Sequence, residues 1–144
     1  MIDAREYLQS FRKEEARISL KQRQLQTLRD RLTSLSAPMD KEQVSHTKNV
    51  AVMSESIARI VDMENEIMRD TDQLTEAKYE AYQFFNQIPT ESADLLMDRY
   101  FEGKKNSVIC EERFITDRHL RRIMSEAISA LQEVMNRSTE KDVR

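Results

Sequence analysis

Four basic side chains lie within about two turns of a predicted helix start in the last third of the chain. They are Arg118, His119, Arg121 and Arg122. Guanidinium groups match the paired acceptors of guanine and of phosphate, so arginines in the first turns of a helix suit contact with nucleic acid. Thr116 can cap this helix by accepting from free backbone N–H groups, and Asp117 adds a negative charge at the positive end of the helix dipole.

The same segment has one apolar helix face. Its apolar residues recur at three- and four-residue steps: Leu120, Ile123, Ala127, Ile128 and Leu131. The basic residues fall off this face. A shorter amphipathic stretch, 107–112, precedes the segment, with a break at 113–115 between them. A short helix, a turn and a second helix with basic first turns is the plan of a helix-turn-helix. The alternative is that these arginines form only the solvated face of an ordinary surface helix.

A further short helix is predicted before this pair, over residues 90–102. Thr90 is the expected N-cap, and Gly103 is well placed to end the helix in the left-handed conformation. Tyr100 and Phe101 are interpreted as core rather than as a base-stacking platform, because no basic residues interleave with aromatic ones. With Asn106–Arg113 and 116–135, this predicts a three-helix C-terminal domain in which Cys110 is a buried, inert thiol.

Residues 95–110 and 116–130 resemble the C-terminal part of small regulators encoded by phages and prophages of Gram-positive bacteria. The likeness is to the ArpU/RinA group of late-gene transcription regulators, whose C-terminal half is similar to DNA-binding region 4 of sigma factors. It is carried by Arg99-Tyr100, Gly103-Lys104, Ile109-Cys110, Thr116, Leu120, Arg122 and Ile123. Two positions depart from the pattern, with Asn106 where an aromatic residue is usual and Arg113 where an apolar residue is usual.

The resemblance implies a bacterial cytoplasmic protein that binds double-stranded DNA, with host RNA polymerase as a possible second partner. Arg118 and Arg121 are expected at base edges or phosphates, and the lysines beside Gly103 at the DNA backbone. The predicted DNA-binding residues are Lys104, Lys105, Asp117, Arg118, His119, Arg121 and Arg122.

Two long helices are predicted before this domain. Asp3 can cap the first helix, which continues to about Leu35 with apolar residues at every seventh position, and a second such helix runs over about 49–87. Pro38 separates them, so an antiparallel helical hairpin resembling a coiled coil is the simplest arrangement. Polar residues interrupt the seams at Glu14, Lys21, Glu64, Thr71 and Lys78. These either extend outward from the seam edge or fix the register of pairing.

Composition supports an all-α protein and argues against other classes. Of 144 residues one is glycine and two are proline, and 34% are charged. No apolar stretch could span a membrane, and a single cysteine fits a reducing compartment. No phosphate-cradling loop, nucleophile–base motif or metal-ligand spacing is present, so neither an enzyme nor a cofactor is predicted. Residues 1–98 contain 13 Lys and Arg against 18 Asp and Glu, whereas residues 99–144 contain 10 against 8.

The sequence therefore predicts a helical hairpin or coiled-coil arm over 1–88, a helix-turn-helix domain over 89–137 and a flexible tail over 138–144. The leading hypothesis is a phage-derived transcription regulator that forms a homodimer and has no membrane partner. The competing hypothesis is a coiled-coil scaffolding or interaction protein without DNA binding. The same seams serve a hairpin within one chain or a coiled coil between two chains, and the sequence does not separate these.

Overall fold

The computed structural model describes residues 2–36 and 46–142, and these residues form five helices and no strand. The helices are α1 (Ala4–Ser36), α2 (His46–Phe85), α3 (Thr90–Leu96), α4 (Asn106–Arg113) and α5 (Asp117–Asp142), with a π-helical turn at Met97–Phe101 directly after α3. The predicted all-α class is confirmed. The linker around Pro38 and the final residues 143–144 lie outside the described part of the chain. None of the described helices combines the length and apolarity needed to cross a membrane.

Helix ends follow local chemistry. The carboxylate of Asp3 accepts from the backbone N–H of Glu6 at 3.3 Å, as expected of the first cap. The prediction that Thr90 caps α3 was wrong, because Pro89 occupies the cap position and its carbonyl accepts from the N–H of Ala93 at 3.0 Å. Proline fits there because the missing N–H is one that a helix start leaves unbonded. Gly103 has φ of 70°, which confirms the predicted left-handed terminator.

The chain divides into two compact units, residues 1–15 with 74–144 and residues 16–73. This division differs from the predicted boundary at 88, because the first turns of α1 and the last turns of α2 belong with α3–α5. In the first unit, Ala4 and Leu8 are fully buried in the same core as Leu96, Ile109 and Leu131. The amide side chain of Gln132 on α5 also accepts from the N–H of Ala4 at 2.7 Å.

Aromatic rings surround Phe101 in the first unit. Its centroid lies 4.9 Å from that of Phe11 on α1, and 5.3 Å and 5.7 Å from those of Phe85 and Tyr82 on α2. The ammonium of Lys78 lies 5.6 Å from the same ring and pairs with Glu15. The prediction that Tyr100 is a core residue is confirmed, whereas Phe101 is only partly buried and packs against that core. The helix α5 continues to Asp142, beyond the predicted end near Met135, and the hydroxyl of Thr139 donates to the carbonyl of Met135 at 3.0 Å.

In the second unit, two basic residues of α1 bind carboxylates of α2, and one of them is the predicted seam residue Lys21. The ammonium of Lys21 lies 2.8 Å from Glu66 and 2.5 Å from Asp70. Arg29 pairs with Glu64 at 2.8 Å, and Ile18, Leu25 and Ile60 are buried. The paired numbers fall along α2 as they rise along α1, which is the order that antiparallel helices give. Lys21 therefore bonds across the pair instead of extending away from it.

We expect Lys21→Met to remove a pH-dependent part of the stability of the helix pair. The hydrogen bond from Lys21 lowers the pKa of Asp70, and hydrogen bonds to Asp70 and Glu66 raise the pKa of Lys21. The stabilisation is therefore complete at neutral pH and is lost as the pH falls through the lowered pKa of Asp70, below the range in which an unpaired aspartate titrates. Urea unfolding from pH 7 to pH 3 measures this loss, and it should be smaller in the variant than in a Lys13→Met control. Equal acid dependence in both variants would contradict the assignment.

Candidate nucleic-acid interface

Helix α5 begins at the predicted cap. The hydroxyl of Thr116 accepts from the backbone N–H of His119 at 3.1 Å, and the carbonyl of Thr116 accepts from the N–H of Leu120 at 2.9 Å. Asp117 follows in the first turn, where its negative charge meets the positive end of the helix dipole. The start of α5 is thus fixed by a side-chain bond and a favourable charge, and this fixes the direction of the basic side chains that follow.

The apolar face of α5 is buried as predicted. Leu120 is 2% exposed, Ala127 and Leu131 are fully buried, and Ile123 is partly buried against the same core. This face packs on α3 and on α4, whose Ile109 is also fully buried. Because α5 is held along one side, residues near 180° from Leu120 around the helix must face solvent.

Arg118 and Arg122 occupy that solvent side and are exposed. Within the described part of the chain, no carboxylate forms an ion pair with either of them. The guanidinium of Arg122 lies 2.9 Å from Nδ1 of His119, one turn earlier on the helix. Arg121 is also exposed, but it pairs with Asp117 at 2.9 Å. The structure therefore brings the predicted basic residues of α5 together, with Arg118 and Arg122 the least neutralised.

The two predicted lysines have different surroundings. The ammonium of Lys104 lies 3.0 Å from Glu112, 3.5 Å from Glu102 and 3.6 Å from Asp98. The hydrogen bond to Glu112 and the neighbouring carboxylates raise the pKa of Lys104. The charge of Lys104 is neutralised by carboxylates of the same unit, which favours a structural role for this residue. Lys105 is exposed and directly precedes α4.

Arg113 forms a polar link between α4 and the α3 segment. Its guanidinium lies 2.9 Å from Asp94 and 3.0 Å from Asp98. Burial opposes the charge of Arg113, but the bonds and charges of these two carboxylates prevail and raise its pKa. At this position, where the resemblance leads one to expect an apolar residue, Arg113 forms two ion pairs. Asn106, the other departure, is the first residue of α4 and is exposed.

The turn between α4 and α5 contains a residue that sequence reasoning missed. Phe114 has φ of 55°, in the left-handed region, and its side chain is 94% exposed. Its backbone N–H donates to the carbonyl of Cys110, which ends α4 in the way a glycine commonly does. Nothing in the local sequence marks this position, because a left-handed residue after a helix is normally signalled by glycine or asparagine. The thiol of Cys110 is partly buried, less than predicted.

The described residues include no group of three His, Cys, Asp or Glu side chains able to hold a metal ion. Carboxylates near the basic residues instead form the ion pairs described above. The exposed guanidinium groups at this end of the first unit can donate to anions and to base edges.

We expect Phe114→Gly to raise the free energy of unfolding of the protein by about 1 kcal/mol. The left-handed conformation costs a residue with a side chain about this much, whereas glycine adopts it without that cost. Phe114→Ala is the matched control, since it removes the same exposed ring but keeps the strained backbone. It should leave the free energy almost unchanged. Denaturant unfolding of the three proteins measures the difference, and a glycine variant no more stable than the alanine variant would contradict the strain.

No family model, curated protein or solved structure matches this chain. The likeness to ArpU/RinA regulators therefore remains a resemblance carried by the residues quoted from the sequence.

Proposed function

We propose that the protein is a DNA-binding transcription regulator of the phage type, with α4, the turn and α5 acting as a helix-turn-helix. The observation that carries this proposal is the pair Arg118 and Arg122, exposed and without a carboxylate partner in the described chain, on the opposite side of α5 from buried Leu120. A helix held along its apolar side, with free guanidinium groups in its first turns, is what entry into a major groove requires.

The remaining residues have supporting roles in this proposal. Arg118 and Arg122 reach base edges or phosphates, and the contact between Arg122 and His119 orients the guanidinium. Asp117 holds Arg121 beside them. Lys105 contacts the DNA backbone at the start of α4, while Lys104 stabilises the domain from within. Base contacts provide sequence specificity, and phosphate contacts fix the position of the domain on DNA.

Replacing Arg118 and Arg122 together with alanine should weaken DNA binding by about 100-fold or more, since each such contact contributes roughly 1–3 kcal/mol. Gel shifts against fragments of the genome that encodes the chain, repeated at rising salt, measure this loss. Helix content by circular dichroism should not change, because both side chains are exposed. Arg23→Ala with Arg31→Ala is the charge-matched control on α1 and should bind as the parent does. Unchanged affinity of the α5 variant would remove the recognition-helix assignment.

A second candidate is a coiled-coil interaction protein without DNA binding, and one observation in the second unit favours an interaction surface. Val50, Ile57, Val61 and Met68 are each 46–62% exposed and follow one another along α2 at steps of seven, four and seven residues. These steps place them on one helix face, separate from buried Ile60. A protein of this second class would shift no DNA at any salt concentration, whereas phosphate contacts weaken steeply as salt rises.

We propose that this stripe, defined as Val50, Ile57, Val61 and Met68, binds the same stripe of a second copy. The step pattern is that of a coiled-coil seam, which needs a partner helix with the same repeat, and a second copy provides one. Exposed Ala51 and Ala58 flank the stripe, so two such helices can approach closely. A homodimer also suits a helix-turn-helix protein, because paired recognition helices bind paired half-sites. Contact of this arm with RNA polymerase is the alternative use of the surface.

Val61→Glu with Met68→Glu should convert a dimer to a monomer, because burying four carboxylates in one seam costs far more than the lost apolar contact. Analytical ultracentrifugation over a range of protein concentrations measures the change. Gln24→Glu with Gln73→Glu adds the same charge at exposed polar positions and should leave the dimer intact. A parent protein that sediments as a monomer at all concentrations would exclude this interface.

A further inference from the structure

A groove on the first unit brings together three arginines from three different elements. Arg5 comes from the first turns of α1, Arg99 from the π-helical turn and Arg121 from α5. The groove has a volume of about 300 Å³, enough for a phosphate group with its hydrogen-bonding partners. Only Arg121 was among the residues that the sequence predicted for DNA contact.

The lining of the groove is polar and contains no carboxylate. Gln9 lies one turn after Arg5 on α1, and Ser125 lies one turn after Arg121 on α5. Asn106, at the start of α4, adds an amide group. The floor is formed by less polar side chains: Tyr100, Leu120 and Met124. In a chain whose net charge is −3, a groove lined by three cations and no anion is a local reversal of sign.

Arg99 and Arg121 are held by contacts that leave some of their N–H donors available. Arg99 donates through Nη1 to the carbonyl of Lys104 at 3.3 Å, and its guanidinium lies 6.0 Å from the ring of Tyr100. Arg121 is fixed by Asp117, a residue that does not line the groove. Each guanidinium has five N–H donors, so the single bonds of Arg99 and Arg121 leave most of their donors unused. Neighbouring guanidinium groups repel one another, and a bound anion removes that repulsion.

We propose that this groove binds a phosphate group, and that the group is a backbone phosphate of the DNA bound by α5. This inference rests on the proposed function. Arg121 belongs both to the groove and to the first turns of α5, where it follows Arg118 by three residues, so the groove adjoins the recognition surface. Arginine binds phosphate through paired N–H donors, and the groove offers such donors from several directions. The first turns of α1 are then part of the DNA-binding surface.

The same chemistry would hold the phosphate of a free phosphorylated small molecule, and the experiment separates the two sources. Arg5→Gln is the test variant, because Arg5 is exposed and lies outside the predicted helix-turn-helix. Arg23→Gln, on the same helix but in the second unit, is the charge-matched control. The probes are a mixed-sequence duplex of about 30 base pairs and inorganic pyrophosphate. Duplex affinity is measured from low to moderate salt, and pyrophosphate binding by calorimetry.

If the groove holds a backbone phosphate, Arg5→Gln weakens duplex binding several-fold at low salt and reduces the slope of log affinity against log salt by about 0.9. The Arg23→Gln control keeps the parent affinity and slope. If Arg5→Gln also keeps both while Arg118→Ala with Arg122→Ala loses binding, the groove proposal is overturned and the recognition helix stands. If the parent binds no duplex but binds pyrophosphate in an Arg5-dependent way, the DNA function fails and the groove binds a small phosphate. Binding of neither probe overturns both proposals.

Discussion

The packing of Phe101 determines which parts of the chain fold together. Its ring meets Phe11 from α1 and two aromatic rings from α2, so the segment that leads into α4 and α5 is fixed to both long helices. Aromatic pairs of this kind contribute about 0.5–1.5 kcal/mol each beyond the area they bury. The π-helical turn from Met97 to Phe101 adds one residue per turn and so sets which way the ring points. A C-terminal domain of three helices alone would lack most of the partners of Phe101.

The charges of the first unit are divided between structure and surface. Asp98 is 14% exposed and accepts from Arg113 while lying near Lys104, so one carboxylate joins three segments of the chain. Removing either cation would leave that carboxylate less compensated in a partly buried site, which carries a desolvation cost. These ion pairs neutralise Lys104 and Arg113, two basic residues that a count of charges alone would make available for DNA contact. The other arginines of this unit described above lie on α5 and around the groove. The surface there is locally positive, although the net charge of the whole chain is −3.

The sequence predicted the elements well because helix periodicity and helix ends are local properties. A helix was predicted over about 106–113 and α4 spans Asn106–Arg113, and the caps at Asp3 and Thr116 are present. What it missed depends on contacts between distant segments. Leu8 falls outside the seven-residue repeat but is buried in the core that it shares with Leu96, Ile109 and Leu131, and the boundary predicted at 88 separates the first turns of α1 from that core. At the candidate site, the type and position of Lys104 could be read from the sequence, but not the three carboxylates around it.

Phe114, in the turn between α4 and α5, combines an unfavourable backbone conformation with an exposed aromatic ring. Its left-handed backbone costs roughly 1 kcal/mol, and a ring that is 94% exposed returns no burial energy in the free protein. A partner surface covering that ring would return about 2 kcal/mol, which exceeds the backbone cost. The turn connects α4 to the basic start of α5, so any surface that reaches Arg118 passes close to this residue along the chain. If α5 binds DNA as proposed, contact of this ring with the bound surface would offset the backbone cost.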